Sequence, residues 1–232
     1  MTPDALIARR RVPLRLVIFD CDGVLVDSEP VSNRILAEDL TARGWPMETA
    51  EATRRFVGTS LPDMRPVVEA RIGTALPSDW HRTLQARIVA ALASEAVAIP
   101  GAVEALRAVD AMGIDWRVAS NSSHEEMAAK FRRLGIERLV VGRVHSFTDV
   151  RHGKPAPDLF LAAAASAGVA SAECLVIEDS VTGVRAAVAA GMDCLGLARR
   201  GDGAALRAFG AVPFRAMAEL PVLLGAARRR AA

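Results

Sequence analysis

Short apolar runs alternate with helical segments along residues 100–197, and this alternation limits the possible fold more than any other feature. The runs that we interpret as strands are residues 114–119, 144–146, 174–178 and 193–197. The segments with helical spacing are residues 102–112, 123–134, 157–167 and 181–190. Strands separated by helices pair in parallel, because a parallel crossover needs a long connection. Together with an earlier apolar run at residues 14–19, this pattern predicts a doubly wound, Rossmann-like parallel sheet of the α/β class.

Residues 30–98 show a different pattern, with helical spacing and no strand-like alternation. The helical stretches are residues 30–44, 48–56, 61–72 and 78–94. Pro30 suits a first helical turn, and Ser78 with Asp79 suits a helix start. An all-helical block placed directly after the first strand predicts a separate helical domain at 30–98, with residues 1–29 and 99–232 forming the α/β core.

The charge balance argues against nucleic acid as a partner. The chain has 29 Lys and Arg against 27 Asp and Glu, which leaves a formal net charge of +2. So small a surplus gives no electrostatic reason to expect binding to a polyanion. Runs of arginine at residues 9–11 and 228–230 lie near the ends, and we interpret them as solvated tails.

The cysteines favour a reducing compartment. Cys21, Cys174 and Cys194 are scattered, odd in number and without C-x-x-C spacing, so we interpret them as small core or site-lining residues. No apolar run is long enough to span a bilayer, and no apolar leader precedes Val12. We therefore expect a cytoplasmic protein with no membrane partner, and the sequence does not distinguish a monomer from a homodimer.

Two acids follow the first strand. The apolar run at 14–19 stops at Asp20 and Asp22, and Gly23 then allows a sharp turn. The carboxyl ends of parallel strands are where such sheets bind ligands. Like charges this close are normally avoided unless they share a cation or a proton. The alternative is an ordinary Asp-Gly turn after a strand.

Two later segments also carry polar residues. Ser120-Asn121-Ser122 lies between a strand and a helix start, where hydroxyl, amide and backbone N–H groups form an anion site or, alternatively, a helix cap. Lys154 lies among Gly153, Pro155 and Pro157, which restrict the backbone around it.

Glu178 and Asp179 end a second apolar strand. Paired acids at a strand end suit a hard divalent cation, which prefers oxygen ligands. The alternative is that Asp179 or Ser180 only caps the next helix. His145 and His152 lie nearby in the sequence, but carboxylates already fill the position of a general base, so we expect no catalytic role for either histidine.

The string Phe-Asp-x-Asp-Gly-Val-Leu-x-Asp-Ser-Glu at 19–29 resembles the first motif of the haloacid dehalogenase superfamily, in the branch of β-phosphoglucomutase and the phosphoglycolate-type phosphatases. Ser120-Asn121, Lys-Pro-x-Pro-Asp at 154–158 and Glu178-Asp179 match the three later motifs. The resemblance implies a helical cap over the active site. It also implies that Asp20 is a nucleophile that takes up a phosphoryl group and that Asp22 is the general acid and base.

The same resemblance implies the ligands of a phosphate and of Mg²⁺. Ser120, with Asn121 beside it, and Lys154 would hold the phosphate. The Asp20 carboxylate, the Asp22 main-chain carbonyl and Asp179 would hold Mg²⁺, with Glu178 in or beside the first shell. We therefore predict a phosphoric monoester hydrolase that is Mg²⁺-dependent and acts on a small phosphorylated metabolite through an aspartyl-phosphate. The metabolite would be a sugar phosphate, a sugar-acid phosphate or phosphoglycolate.

Three other activities stay open. A β-phosphoglucomutase would be expected to have a histidine where an ungapped alignment has Ser32, and an arginine where an alignment from Gly58 has Leu61. Cap arginines that could replace the missing one are Arg55, Arg65, Arg82 and Arg87. Haloacid dehalogenase chemistry needs no second aspartate or metal, so Asp22, Glu178 and Asp179 count against it. A non-catalytic interaction protein is the third alternative.

Overall fold

The protein folds around an all-parallel sheet. The computed structural model describes residues 1–56, 59 and 61–231, without the side chains of 226–231. Within that part the sheet has six strands in the order β5-β4-β1-β6-β7-β8. They are β1 (Leu16–Phe19), β4 (Asp115–Ser120), β5 (Val144–Ser146), β6 (Cys174–Glu178), β7 (Asp193–Leu197) and β8 (Val212–Phe214), and every neighbouring pair is parallel. The predicted doubly wound α/β fold is confirmed.

Helices cover both faces of the sheet. In the described residues of the core they are α1 (Pro3–Arg9), α6 (Ala102–Ala111), α7 (His124–Arg133), α8 (Asp158–Ser166), α9 (Val181–Ala189), α10 (Ala204–Ala208) and α11 (Leu220–Ala231). Because both faces are covered, the central strands are apolar and buried along their whole length, as in Leu16–Phe19 and Cys174–Glu178. The three cysteines were predicted to be small core or site-lining residues, and this is confirmed, because each is buried and unpaired.

The winding of the sheet reverses at β1. This strand pairs with β4 on one side and with β6 on the other, in a register that places Phe19 opposite Val118 and Ile177. The chain therefore fills the sheet outward from β1 in both directions. Such a switch point opens a crevice at the carboxyl ends of the central strands.

Four helices lie between β2 (Val26–Asp27) and β3 (Val97–Ala98), counted over the described residues. These cap helices are α2 (Glu29–Ala42), α3 (Thr49–Phe56), α4 (Leu61–Ile72) and α5 (Trp80–Glu95). The buried carboxylate of Asp39 on α2 ties that helix to α5, because it accepts hydrogen bonds from Trp80 Nε1 (2.8 Å) and Arg87 Nη1 (2.8 Å), and it also accepts one from Arg43 Nε (2.7 Å) at the end of α2. The division into a core and an inserted domain at 30–98 stays a prediction.

The sequence analysis missed several elements. At the base of the cap helices, β2 and β3 form an antiparallel pair of two residues each, too short to show a pattern. The helices α1, α10 and α11 and the edge strand β8 were also not predicted. The elements that were predicted begin and end within two residues of the observed bounds. In the part of the chain that the structure describes, no helix is both long and apolar enough to cross a bilayer.

The interpretation of residues 9–11 as a solvated tail was wrong for Arg10. Its side chain is only 5% exposed and its guanidinium lies 2.5 Å from Asp193 Oδ2. It also donates hydrogen bonds to the carbonyls of Cys174 (3.2 Å) and Ala172 (2.7 Å). Arg10 thereby ties the segment after α1 to the amino-terminal ends of β6 and β7. The second arginine run, 228–230, lies outside the side chains that the structure describes.

Arg10→Met is expected to lower the free energy of unfolding by about 2 kcal/mol, because it removes a charged hydrogen bond and leaves Asp193 without its close partner. Arg9→Met is the control, since Arg9 is 59% exposed and lies 3.7 Å from the same aspartate; its effect should stay below about 0.5 kcal/mol. Urea denaturation measures both. Equal midpoints for the two variants would contradict the structural role of Arg10.

Candidate active site

The predicted site residues meet at the carboxyl ends of β1, β4 and β6. Asp20 directly follows β1, and its backbone N–H donates to the Ile177 carbonyl of β6 at 2.9 Å. Ser120 is the last residue of β4, and Glu178 is the last residue of β6. Parallel pairing places these three ends side by side, which is why residues more than 150 positions apart in the chain form one site.

Lys154 joins the strand ends electrostatically. Its Nζ lies 2.5 Å from Asp20 Oδ1 and 2.8 Å from Glu178 Oε1, and its side chain is 3% exposed. Burial lowers the pKa of the Lys154 ammonium, but the two carboxylates outweigh burial and raise it above its usual range. The ammonium also lies 4.6 Å from the centre of the Phe160 ring. A buried ammonium is stable only when it is paired in this way.

Asn121 holds the loop that carries Lys154. Its side-chain Oδ1 accepts from the Lys154 backbone N–H at 2.9 Å, and its Nδ2 donates to the Lys154 carbonyl at 3.0 Å. A Cβ on Gly153 would lie 2.7 Å from that amide oxygen, so only glycine fits beside it. The structure therefore gives Asn121 a positioning contact that the sequence did not predict.

Asp20, Glu178 and Asp179 form an acidic cluster, in which one oxygen from each carboxylate lies within 4.8 Å of the others. Burial raises the pKa of Asp20 to about 7, although the charge of Lys154 acts in the opposite direction. Burial, followed by the charges of Glu178 and Asp20, raises the pKa of Asp179 to about 9. A divalent cation would relieve this repulsion, and carboxylate oxygens are the ligands that Mg²⁺ prefers. The donor set therefore fits the predicted Mg²⁺.

Glu178 has less room for a cation than the two aspartates. Its Oε2 accepts the backbone N–H groups of Asp179 (2.9 Å) and Ser180 (2.8 Å) and the Ser180 hydroxyl (2.9 Å). Its other oxygen accepts the Lys154 ammonium. The Ser180 hydroxyl also caps α9 by accepting from the Gly183 N–H at 3.0 Å. Because Ser180 is the helix cap, the Asp179 side chain is left available for another ligand.

Glycine is required where the backbone passes close to these carboxylates. Gly23 has a φ of 79°, and a Cβ built there would lie 1.9 Å from Asp179 Oδ2. A Cβ on Gly183 would lie 1.6 Å from Glu178 Oε1. Both distances are far below any tolerable contact, so each glycine allows a loop or helix to pack directly against a site carboxylate.

Asp22 lies in a separate polar network. Its Oδ1 accepts from the Ser28 hydroxyl and, at 2.6 Å, from the ammonium of Lys130. Its Oδ2 accepts from Ser122 Oγ at 2.7 Å and from Ser120 Oγ at 3.3 Å. Burial raises the pKa of Asp22, but Lys130 and the hydroxyl donors outweigh burial and hold it below its usual range. Asp22 is therefore a carboxylate in this arrangement.

Residues 120–122 do not cap the helix that follows them. Ser123 caps α7, because its hydroxyl accepts the Glu126 N–H at 3.2 Å. Ser120 is buried, and its hydroxyl accepts the Ser122 N–H at 3.1 Å and points to Asp22. Its single O–H is therefore donated to Asp22 at 3.3 Å in this arrangement, and binding an anion would require that long hydrogen bond to be exchanged.

Two cavities flank the site beneath the cap helices. One, of about 700 Å³, is lined by Ser32, Leu61 and Arg82 together with Asn121. The other, of about 1140 Å³, lies beside Asp179. Asn33 of α2 lines both cavities. The alignment that placed Leu61 opposite an arginine begins at residues 57–58, which lie outside the described part of the chain.

Most of the cap arginines already have partners. Arg87 pairs with Asp39 (2.8 Å) and Arg65 with Glu69 (2.9 Å) and two backbone carbonyls. Arg55 lies over the Trp45 ring, 5.3 Å from its centre. Arg82 is different, because its side chain is 79% exposed, is 3.8 Å from its nearest acid and lines the smaller cavity.

A family model described as haloacid dehalogenase-like hydrolase matches residues 14–191, which contain all of these site residues. The chain belongs to this family. The predicted resemblance is confirmed by that match, which spans more than half of the chain.

Named relatives of this haloacid dehalogenase-like hydrolase include phosphatases. A 6-phosphogluconate phosphatase of Escherichia coli K12 is 29% identical over 181 residues, which cover 78% of this chain and 80% of that protein. A solved hydrolase of Deinococcus radiodurans R1, with bound phosphate and sodium, is 34% identical with a TM-score of 0.78, covering 93% of this chain and 97% of the other. A putative β-phosphoglucomutase of Thermotoga maritima is 27% identical with a TM-score of 0.77, covering 91% and 98%.

Four side chains of the network were not predicted as site residues: Ser28, Ser122, Glu126 and Lys130. Ser28 and Ser122 lie inside motifs that were singled out for other residues. Glu126 and Lys130 are spaced i, i+4 on a helix, and such a pair is usually solvated. Here the side chain of Lys130 is fully buried, and only the tertiary fold reveals this.

Gly183→Ala is expected to lower both stability and activity. In an open helix this change would add up to about 1 kcal/mol of stability. Here the new Cβ would displace Glu178, so we expect a net loss of about 2 kcal/mol and a decrease in phosphatase kcat. Urea denaturation and an assay on p-nitrophenyl phosphate measure the two effects. Arg185→Ala, an exposed change on the same helix, is the control, and a stabilised, fully active Gly183→Ala enzyme would contradict the close packing.

Proposed function

We propose that this chain is a Mg²⁺-dependent phosphatase that hydrolyses a small phosphorylated metabolite through an aspartyl-phosphate on Asp20. The single observation that carries the proposal is the buried ammonium of Lys154 at 2.5 Å from Asp20 Oδ1, at the sheet's switch point. The enzyme class predicted from the sequence, a phosphoric monoester hydrolase, is confirmed by the family match and the phosphatase relatives.

Asp20 is proposed as the nucleophile. Its carboxylate oxygen attacks the phosphorus, and the bond between phosphorus and the ester oxygen breaks. Lys154 holds the carboxylate in one orientation and neutralises part of the charge that accumulates when a phosphate dianion approaches it. In the second step a water attacks the phosphorus, inorganic phosphate leaves, and the Asp20 carboxylate is restored.

Asp22 is proposed as the general acid and base. In the first step it donates a proton to the leaving alkoxide, and in the second it accepts one from the attacking water. Because the hydrogen bonds of Asp22 favour the ionised form, it must take up a proton before the first step. A phosphate dianion bound beside it favours that uptake, since a neighbouring negative charge raises the pKa of a carboxyl group.

Ser120, Asn121 and Lys154 are the proposed phosphate ligands. Ser120 offers its hydroxyl at the end of β4, and Lys154 offers its ammonium. Asn121 is bound to the Lys154 backbone through both ends of its amide, so its contribution is mainly to fix the position of Lys154.

The proposed Mg²⁺ ligands are the carboxylates of Asp20 and Asp179 and the main-chain carbonyl of Asp22, with Glu178 beside them. A bound Mg²⁺ supplies positive charge that stabilises the phosphoryl oxygens during transfer. Glu178 is placed outside the ligand set because its oxygens already accept four hydrogen bonds.

We further propose that residues 30–98 form a cap domain that selects the leaving group. The cavity lined by Ser32, Leu61 and Arg82 lies next to Asn121 and is large enough for a sugar phosphate, a sugar-acid phosphate or phosphoglycolate. The cytoplasmic location stays a prediction.

A panel of phosphate monoesters tests the function. We expect Mg²⁺-dependent release of phosphate from at least one sugar phosphate or sugar-acid phosphate, and loss of more than about 100-fold in kcat for Asp20→Asn, because the nucleophile is removed. The matched control is Asp158→Asn, an aspartate that pairs with His152 outside the acidic cluster. Asp20→Asn should remain folded, because asparagine keeps an oxygen that can accept from Lys154, Glu178 still pairs with that ammonium, and the change relieves repulsion between carboxylates.

One member of the panel separates hydrolysis from isomerisation. A mutase must bind a second phosphate, and the two cap positions expected to do so carry Ser32 and Leu61, which have no positive charge. We therefore expect β-glucose 1-phosphate, supplied with glucose 1,6-bisphosphate, to give no detectable glucose 6-phosphate. If isomerisation outpaced phosphate release and Arg82→Ala abolished it, the chain would be a mutase with Arg82 as the second phosphate ligand.

Asp179→Ala is expected to raise the Mg²⁺ concentration needed for half-maximal activity at least about tenfold, because it removes an oxygen ligand from a cation that binds few protein groups. KM measured at saturating Mg²⁺ should change less than about threefold. An unchanged Mg²⁺ titration would place the cation elsewhere.

A further inference from the structure

A series of hydrogen bonds connects the cap helices to Asp22, and the proposed reaction does not use it. Gln85 of α5 donates through Nε2 to Glu126 Oε2 of α7, at 2.8 Å. The other oxygen of Glu126 accepts the ammonium of Lys130 at 2.5 Å. Lys130 then donates to Asp22 Oδ1 at 2.6 Å. The four side chains thus form one continuous path from the cap helices to the proposed general acid.

Lys130 cannot move independently of its partners. Its side chain is 0% exposed, and its third N–H reaches Ser122 Oγ at 3.1 Å. An ammonium has three donors, so Asp22, Glu126 and Ser122 use all of them. Because an unpaired buried ammonium is very unfavourable, Lys130 stays between the two carboxylates and holds both in place.

The rate of the proposed reaction depends on where the Asp22 carboxyl group lies. A general acid must lie within hydrogen-bond reach of the ester oxygen, and an error of about 1 Å can cost on the order of 100-fold in rate. Ser28 and Ser122 also donate to this carboxylate, but each is a neutral hydroxyl. The ammonium provides the stronger, charge-assisted hydrogen bond.

We propose that Lys130 is the positioning residue for Asp22, and that Gln85, acting through Glu126, makes this position depend on how the cap helices sit on the core. The inference rests on the proposed function, in which Asp22 protonates the leaving oxygen. It predicts that Lys130 matters for esters whose leaving group needs a proton and matters little for esters whose leaving group departs as a stable anion.

The test compares phenyl phosphate with 2,4-dinitrophenyl phosphate, which have the same aromatic ring but differ strongly in leaving-group basicity. The measured quantity is kcat/KM, since it reports the steps through cleavage of the ester bond and excludes later hydrolysis of the aspartyl-phosphate. Lys130→Met should lower kcat/KM for phenyl phosphate at least about tenfold, and for the dinitrophenyl ester less than about threefold. A merely structural defect would lower both values alike.

The chain offers a matched control for the link to the cap. Arg133 lies on the same α7 and donates through Nε to the Ser94 carbonyl of α5 at 2.8 Å, with no connection to Asp22. Gln85→Leu should lower kcat/KM for phenyl phosphate about threefold relative to the dinitrophenyl ester, whereas Arg133→Leu should leave that ratio unchanged. Adding Gln85→Leu to Lys130→Met should cause no further change in the ratio, because both act through one path.

The outcomes separate this inference from the proposed function. A wild-type enzyme that cleaves neither ester and releases phosphate from no member of the monoester panel would overturn the proposed function. A wild-type enzyme that cleaves both, with equal losses on both for Lys130→Met, would overturn the positioning role. If Lys130→Met does not fold, Gln85→Leu decides, because its side chain is only partly buried; an unchanged ratio there would overturn the proposal.

Discussion

The candidate active site depends on burying an ammonium group among carboxylates. Lys154 is almost fully enclosed, and it is stable there because Asp20 and Glu178 both lie within 2.8 Å of its ammonium. Taking any one of these charges out of water alone costs several kcal/mol, and removing one partner of a buried pair typically costs about 3–5 kcal/mol. The carboxyl edge of the sheet is therefore constrained by charge pairing as much as by apolar packing. A second lysine, Lys130, repeats the arrangement between Asp22 and Glu126.

Each of the two lysines contacts a different aspartate of the first motif. Lys154 contacts Asp20, whose carboxylate belongs to the acidic cluster with Asp179, and Lys130 contacts Asp22 in a network of hydroxyl groups. Burial raises the pKa of Asp20 to about 7 although Lys154 acts in the opposite direction, whereas at Asp22 the charge of Lys130 and the hydrogen bonds outweigh burial and lower the pKa. Two carboxyl groups separated by a single residue thus lie in different environments. Both directions are opposite to what a nucleophile and a proton donor need, so the proposed mechanism requires a cation beside Asp20 to keep it ionised and a phosphate dianion beside Asp22 to favour its protonation.

The sequence predicts those parts of the fold and site that local patterns encode. Strands and helices from Ala102 to Leu197 are found within two residues of their predicted bounds, because each combines an apolar period with a clear cap or glycine stop. The paired strands β2 and β3 are two residues long, too short for any period. The role of Arg10 could not be predicted either. Nothing in an arginine run near a terminus indicates that one of its members pairs with Asp193 on a distant strand.

The same limit explains which residues of the candidate site could be predicted from the sequence. Asp20, Ser120 and Glu178 each end an apolar strand, so their position in the sequence already places them at the ligand-binding edge. Lys130 lies on a helix, four residues after Glu126, and its local pattern is that of a solvated ion pair. Its burial arises because α7 packs against both β5 and α5, so that one helix touches the core sheet and the cap helices together. A residue in that place can couple the position of the cap helices to the residues at the carboxyl edge of the sheet. No local sequence motif can encode such a contact.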